Sequence, residues 1–200
     1  MYYDPRTQDH GLPHNPWTAL IAPRPIGWVS TRSATGVANL APYSFFNAAA
    51  THPPFVMLSS TPRKDSLTNI EQTGVFAINI VSADLAQAMS RSSAAVNAEC
   101  DEFRLAGVQA RACRSIDAPC VAQSPVVIEC VLNRVVTLVP NSGLPCQTHI
   151  TFGEVTGIEI ADHVIRDGRV RTDLIQPVSR LGYLDYAITK DTFEILRPGG

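Results

Sequence analysis

Charge is scarce in this chain of 200 residues: 17% are Asp, Glu, Lys or Arg, and the formal net charge is only -2. A basic face for nucleic-acid phosphates is therefore missing, and no nucleic-acid partner is expected. Arg63–Lys64 is the tightest cationic pair, enough for one phosphate. No apolar run approaches the roughly 20 residues of a membrane-spanning helix. The polar start MYYDPRTQDHGLPHNP carries no hydrophobic signal region, so a soluble, cytoplasmic protein without a membrane partner is expected. The five cysteines (Cys100, Cys113, Cys120, Cys130 and Cys146) are odd in number and form no CxxC, which points to reduced thiols. The histidines show neither HxxxH nor HExxH spacing, so no metal site is expected. No GxGxxG occurs, which argues against a Rossmann sheet.

What is present is a large apolar fraction, 45%, enough for one domain over residues 1–200 with 1–22 as an N-terminal extension packed on it. Ile26 to Thr31 and Val37 to Ala41 read as a hairpin around the turn SATG. Further strands are expected at Ser44 to Ala49, Phe55 to Ser59, Val75 to Val81, Val126 to Val139, Thr148 to Ile160 and Phe193 to Leu196, with a tight turn at Asp167-Gly168. Trp17 to Ala22 reads as a helical turn. Helices are expected from Asp65 to about Thr73, capped by Asp65 and stopped by Gly74, and from Ala83 to about Ser90, capped by Ser82. Ala94 to Leu105 reads as an irregular helical segment. Strands run in groups joined by short turns rather than alternating with helices. The fold class is therefore mostly β: an antiparallel barrel with a few peripheral helices.

Three segments concentrate residue types that chemistry uses. In PRPIGWVST, Ile26, Trp28 and Ser30 share one strand face, and Gly27, Val29 and Thr31 share the other. Hydroxyls at a strand end donate to a ligand edge, and Gly27 permits a close approach. An ordinary barrel strand running into a Ser/Thr-rich turn is the alternative. In SSTPRKDS, hydroxyls and two cations meet a helix start, which suits an anion. With Asp65 as cap, a phosphate there leans on Arg63, Lys64 and Ser66; a solvated loop is the alternative. In HITFGEV, His149, Thr151 and Gly153 share a face, and a lone structural histidine is the alternative. Together these segments suit a flat, phosphorylated ligand. They offer no protein nucleophile, so a cofactor that carries the chemistry is the economical reading.

RPIGWVST, then GVANLAPYSFFNAAATHPPFVMLSS, RKDSLTNI, TGVFAINIV, DEFRLAGV, SPVVIECVL, HITFGEV and PVSRLGYLDYA resemble, in order, the flavin reductase-like FMN-binding proteins over about residues 24–197. The resemblance implies an FMN-binding split β-barrel that binds FMN (FAD in some members), works as a homodimer and uses NAD(P)H as co-substrate. It implies that Trp28, Val29, Ser30 and Thr31 line the flavin and reach its phosphate. Pro42, Tyr43, Ser44, Phe45 and Asn47 would run along the ring. Ser59, Ser60, Arg63, Lys64 and Ser66 would complete the phosphate site, His149 would lie on the nicotinamide side, and Arg180 near the flavin or the dimer contact. The implied activity is an NAD(P)H:flavin oxidoreductase serving a monooxygenase or other electron acceptor. The alternatives are an FMN electron carrier reduced by a protein partner, and a flavin-binding protein without nicotinamide turnover.

Overall fold

The computed structural model describes residues 1–198. In chain order the strands are β1 (Arg24–Pro25), β2 (Gly27–Arg32), β3 (Ala38–Tyr43), β4 (Phe46–Thr51), β5 (Pro54–Ser60), β6 (Val75–Ile80), β7 (Ala110–Ala112), β8 (Pro119–Val121), β9 (Val126–Thr137), β10 (His149–Ile160), β11 (Ile165–Arg166), β12 (Arg169–Val170), β13 (Val178–Arg180) and β14 (Tyr186–Ile188). The helices are α1 (Trp17–Leu20), α2 (Asp65–Thr73), α3 (Ala86–Arg91), α4 (Glu102–Ala106) and α5 (Thr172–Ile175). Seven strands form one antiparallel sheet in the order β3-β2-β6-β9-β10-β5-β4. A separate three-stranded sheet runs β1-β13-β14.

The large sheet curls on itself. One apolar cluster joins Val29, Tyr43, Phe46, Val56 and Leu58 to Phe76, Ile78 and Cys130, so both edge strands, β3 and β4, meet at the same core. Ile70 of α2 plugs that core. The other side of β2 faces a second cluster, in which Ile26, Trp28 and Leu40 pack on Leu85, Met89, Phe103 and Val121. The alternation expected for PRPIGWVST therefore holds, but both faces of β2 are covered. The closest thing to Gly27 is also protein: a Cβ there would stand 2.8 Å from the Phe46 ring. The glycine serves barrel closure rather than a ligand.

Several expected elements differ in detail. Lys64, extended at φ -126°, takes the N-cap position of α2 that Asp65 was expected to hold, and no side chain caps that end. Gly74 stops the helix in the left-handed region at φ 75°, as expected. The segment from Ala83 splits into a 3-10 turn, Ala83–Leu85, and α3, because the Ser82 hydroxyl turns to Asp84 Oδ1 at 2.5 Å instead of capping. Within 94–105 only the last turns are helical, where Asp101 accepts from Phe103 N at 3.0 Å. Ser44-Phe45 bends, so β4 starts at Phe46. Residues 193–196 join no strand ladder, Glu194 being tied instead to Arg169, and among the described residues β14 is the last strand. Among the described residues no helix is long and apolar enough to cross a membrane.

Candidate functional site

The bend between β3 and β4 and the start of α2 flank one groove. Its first half is a cavity of about 370 Å³ lined by Pro42, Tyr43, Lys64, Ser66, Ser93 and Glu102, with Arg63 on its rim. Its second half, about 290 Å³, is lined by Ser44, Phe45, Arg24, Arg180 and Tyr186. Pro42 and Ser93 belong to both halves, so the two are continuous.

The α2 end carries the charge. No side chain caps α2, and its first residues, Asp65 and Ser66, line the cavity beside Lys64. The Lys64 ammonium stands 5.9 Å from the Tyr43 ring centroid and has no ion-pair partner among the described residues. Arg63, by contrast, is committed to Glu71. Tyr43 is buried, and its hydroxyl has no hydrogen-bond partner among the described residues. The neighbouring Ser60 and Ser66 hydroxyls donate elsewhere, to Pro62 O and Asn39 Oδ1, each at 2.8 Å. Burial pushes the phenol of Tyr43 up.

Beneath this end lies a polar network that sequence reasoning did not foresee. Asn39 Oδ1 accepts from Ser66 and from Thr31 Oγ1, the latter at 3.1 Å, and Asn69 Nδ2 donates to Thr31 at 3.0 Å. Asn39 Nδ2 and Leu40 N donate to the buried Glu102 carboxylate at 3.0 and 3.2 Å. Burial pushes that carboxyl above its ordinary range, with the two donations working the other way. The signal for Asn39 was its place as a polar residue in a buried hairpin. Glu102 looked like an ordinary first-turn acid behind the Asp101 cap.

The groove gathers Pro42, Tyr43, Arg63, Lys64 and Ser66 in one half and Ser44, Phe45 and Arg180 in the other, with Ser60 buried beside Tyr43. It does not gather the rest. Trp28, Val29, Ser30 and Thr31 are fully buried and line neither half, contrary to the expectation that they touch a ligand. Trp28 Nε1 donates to Ser92 Oγ at 2.9 Å, and Ser30 Oγ accepts from Asn79 Nδ2 at 3.0 Å. Their polar groups are spent inside the protein. Asn47 is exposed on β4, with its side chain on Ala48 N at 2.8 Å. Ser59 is half-buried within β5 and lines neither half. His149 lies opposite Ser60 in the β5–β10 ladder, with Nδ1 3.0 Å from Thr137 Oγ1, also outside the groove. No group of three His, Cys, Asp or Glu among the described residues is arranged to hold a metal.

Comparison with known proteins agrees with this architecture. The family model described as "Flavin reductase like domain" matches residues 20–177. An uncharacterized protein of Deinococcus radiodurans is 36% identical over 193 residues, covering 90% of this chain and 82% of the other. The crystal structure of nitrilotriacetate monooxygenase component B from Bacillus cereus superposes with a TM-score of 0.89 at 29% identity, covering 98% of each chain. That of Pseudomonas fluorescens 2-nitrobenzoate 2-nitroreductase gives 0.86 at 27% identity, covering 100% of this chain and 97% of the other.

Proposed function

The chain belongs to the flavin reductase-like family, with its split β-barrel fold, and from that premise we propose that it is an FMN-binding NAD(P)H:flavin oxidoreductase. One observation carries the reading: a continuous groove that begins at the uncapped start of α2 beside an unpaired Lys64 and ends over Phe45 and Arg180.

The residues fit FMN. The α2 amides and the Lys64 ammonium would hold the phosphate, as helix starts and lysines hold phosphates elsewhere. The orphaned Tyr43 hydroxyl, buried at the same end, is a donor in need of an acceptor. Pro42 to Phe45 would flank the ring with main-chain groups and the Ser44 hydroxyl. The Glu102–Asn39–Ser66 network fixes the floor on which the sugar chain would lie, so the binding geometry is set before the ligand arrives. Bound FMN would supply the hydride acceptor, so the reaction needs no nucleophile from the protein. What the protein supplies is orientation and exclusion of water from the inner wall.

The physiological acceptor is proposed to be a monooxygenase component or another electron acceptor, in line with the Bacillus cereus relative. The working form is proposed to be a homodimer. A second reading, an FMN electron carrier reduced by a protein partner, draws support from His149 standing outside the groove. One experiment separates the two. Protein purified with FMN is expected to show bound-flavin absorbance that bleaches on anaerobic addition of NADH or NADPH. Bound flavin that neither nucleotide bleaches removes the reductase reading and leaves the carrier. Protein that binds no FMN removes both.

A further inference from the structure

The second half of the groove contains two arginines and no acid. Arg24 on β1 and Arg180 on β13 are direct cross-strand partners. Like charges placed opposite each other in an antiparallel pair repel. Arg24 is also buried, 7% exposed, where an unpaired charge is costly. Its Nη1 donates to the Thr18 and Ile21 carbonyls, the latter at 2.6 Å, and its Nη2 to the Leu181 carbonyl at 2.8 Å, while its Nε has no partner. Those carbonyls satisfy donors but bring no net negative charge. Arg180 is likewise held by neutral groups, the Tyr186 hydroxyl and the Tyr183 carbonyl. Neither arginine has a carboxylate partner among the described residues.

Both guanidinium groups also stand by aromatic rings. Arg24 is 5.7 Å from the Phe45 centroid and Arg180 is 4.5 Å from that of Tyr186. The cavity thus offers two uncompensated cations beside flat aromatic surfaces.

We propose that this cavity is an anion subsite built by Arg24 and Arg180, taking the carboxylate or phosphate oxygens of the second substrate beside its planar ring. It rests on the flavin reading only in assigning the cavity to the second substrate. The anion site itself stands on the arginine pair. Arg180 supplies the contact. Arg24 is a positioning residue that raises the local potential from beneath and ties α1 to the three-stranded sheet.

The test uses the full chain and two probes, benzoate and inorganic pyrophosphate, with benzamide and sodium chloride at matched concentration as controls. Either anion is expected to raise the unfolding midpoint where the controls do not. Arg180→Gln is expected to weaken that binding about ten- to a hundredfold, as loss of charge-assisted hydrogen bonds does, with Arg180→Lys keeping part of it. A response to benzoate alone identifies a carboxylate-bearing acceptor. A response to pyrophosphate alone identifies the nicotinamide dinucleotide. If neither anion shifts the midpoint, or if Arg180→Gln leaves the shift unchanged, the proposal is overturned. It is also overturned if the anions displace FMN but not riboflavin, because the cavity is then the cofactor's phosphate site. FMN binding, read separately by fluorescence quenching, keeps the two ideas apart. Quenching without an anion effect sinks only the subsite, and an anion effect without quenching sinks only the flavin reading.

Discussion

At the scale of single residues, the two cations of SSTPRKDS part company. Arg63 is neutralised by Glu71, whereas Lys64 faces the groove at an uncapped helix start. Lys64→Ala is therefore expected to weaken FMN by about 1.5–3 kcal/mol, the worth of a hydrogen bond to a charged group, and to leave riboflavin nearly unchanged. Arg63→Ala should do less to either. Equal losses for FMN and riboflavin, measured by fluorescence titration of Lys64→Ala, would move the phosphate elsewhere. The sequence alone could not divide this pair, because the choice depends on which cation reaches back to Glu71 of α2. The same holds for Trp28 to Thr31, which lie buried and line neither half of the groove. Hydroxyls at a strand end look available until Asn39 across the hairpin, and Asn69 and Asn79 from α2 and β6, occupy them.

At the scale of elements, the strands were readable because their alternation and their turns are local. The expected hairpin over 26–41 and the strands near 55, 75, 126 and 148 all lie within about three residues of their observed ends. The short β7 and β8 pair escaped because RACRSIDAPC shows no alternation, and pairing with a neighbour is what makes them strands. β10 hides a constraint of another sort. Between Phe152 and Gly153 its register with β9 shifts, and a Cβ at Gly153 would stand 2.4 Å from Cζ of the fully buried Phe76. Gly153→Ala is thus expected to destabilise the fold by about 1–3 kcal/mol through overpacking, seen as a lowered denaturation midpoint. The companion Gly153→Ala, Phe76→Leu should recover part of the loss, and failure to recover it would place the strain elsewhere. Its neighbours, Phe76 and Cys130, make Gly153 a packing glycine.

At the scale of the whole molecule, one chain leaves a good deal of apolar surface unspent. Met57, Val131, Val136 and Ile158 of the large sheet are exposed, as are Phe193 and Leu196 near the end of the described chain. Such surface marks an association site more often than a free one. The proposed homodimer is expected to appear as twice the chain mass by light scattering, and Ile158→Glu to shift it toward monomer if the sheet forms the contact. A monomer that still binds flavin would contradict the dimer. The whole-molecule features are the least legible in the sequence, because exposure on a strand is settled only when every other strand has been placed.

The three-stranded sheet has a consequence of a different order. Arg24, Arg180 and Tyr186 all stand on β1, β13 and β14, a sheet that shares no strand with the barrel. Lys64, Tyr43 and Asn39 stand on the barrel and its helix. The two ends of the groove thus belong to different sheets, joined where Val178 N of β13 donates to the Val81 carbonyl just after β6 at 2.8 Å. Substitutions at one end need not disturb the ladder that supports the other. An arrangement of this kind lets the Arg180 end vary while the ladder that carries Tyr43 and the start of α2 stays as it is.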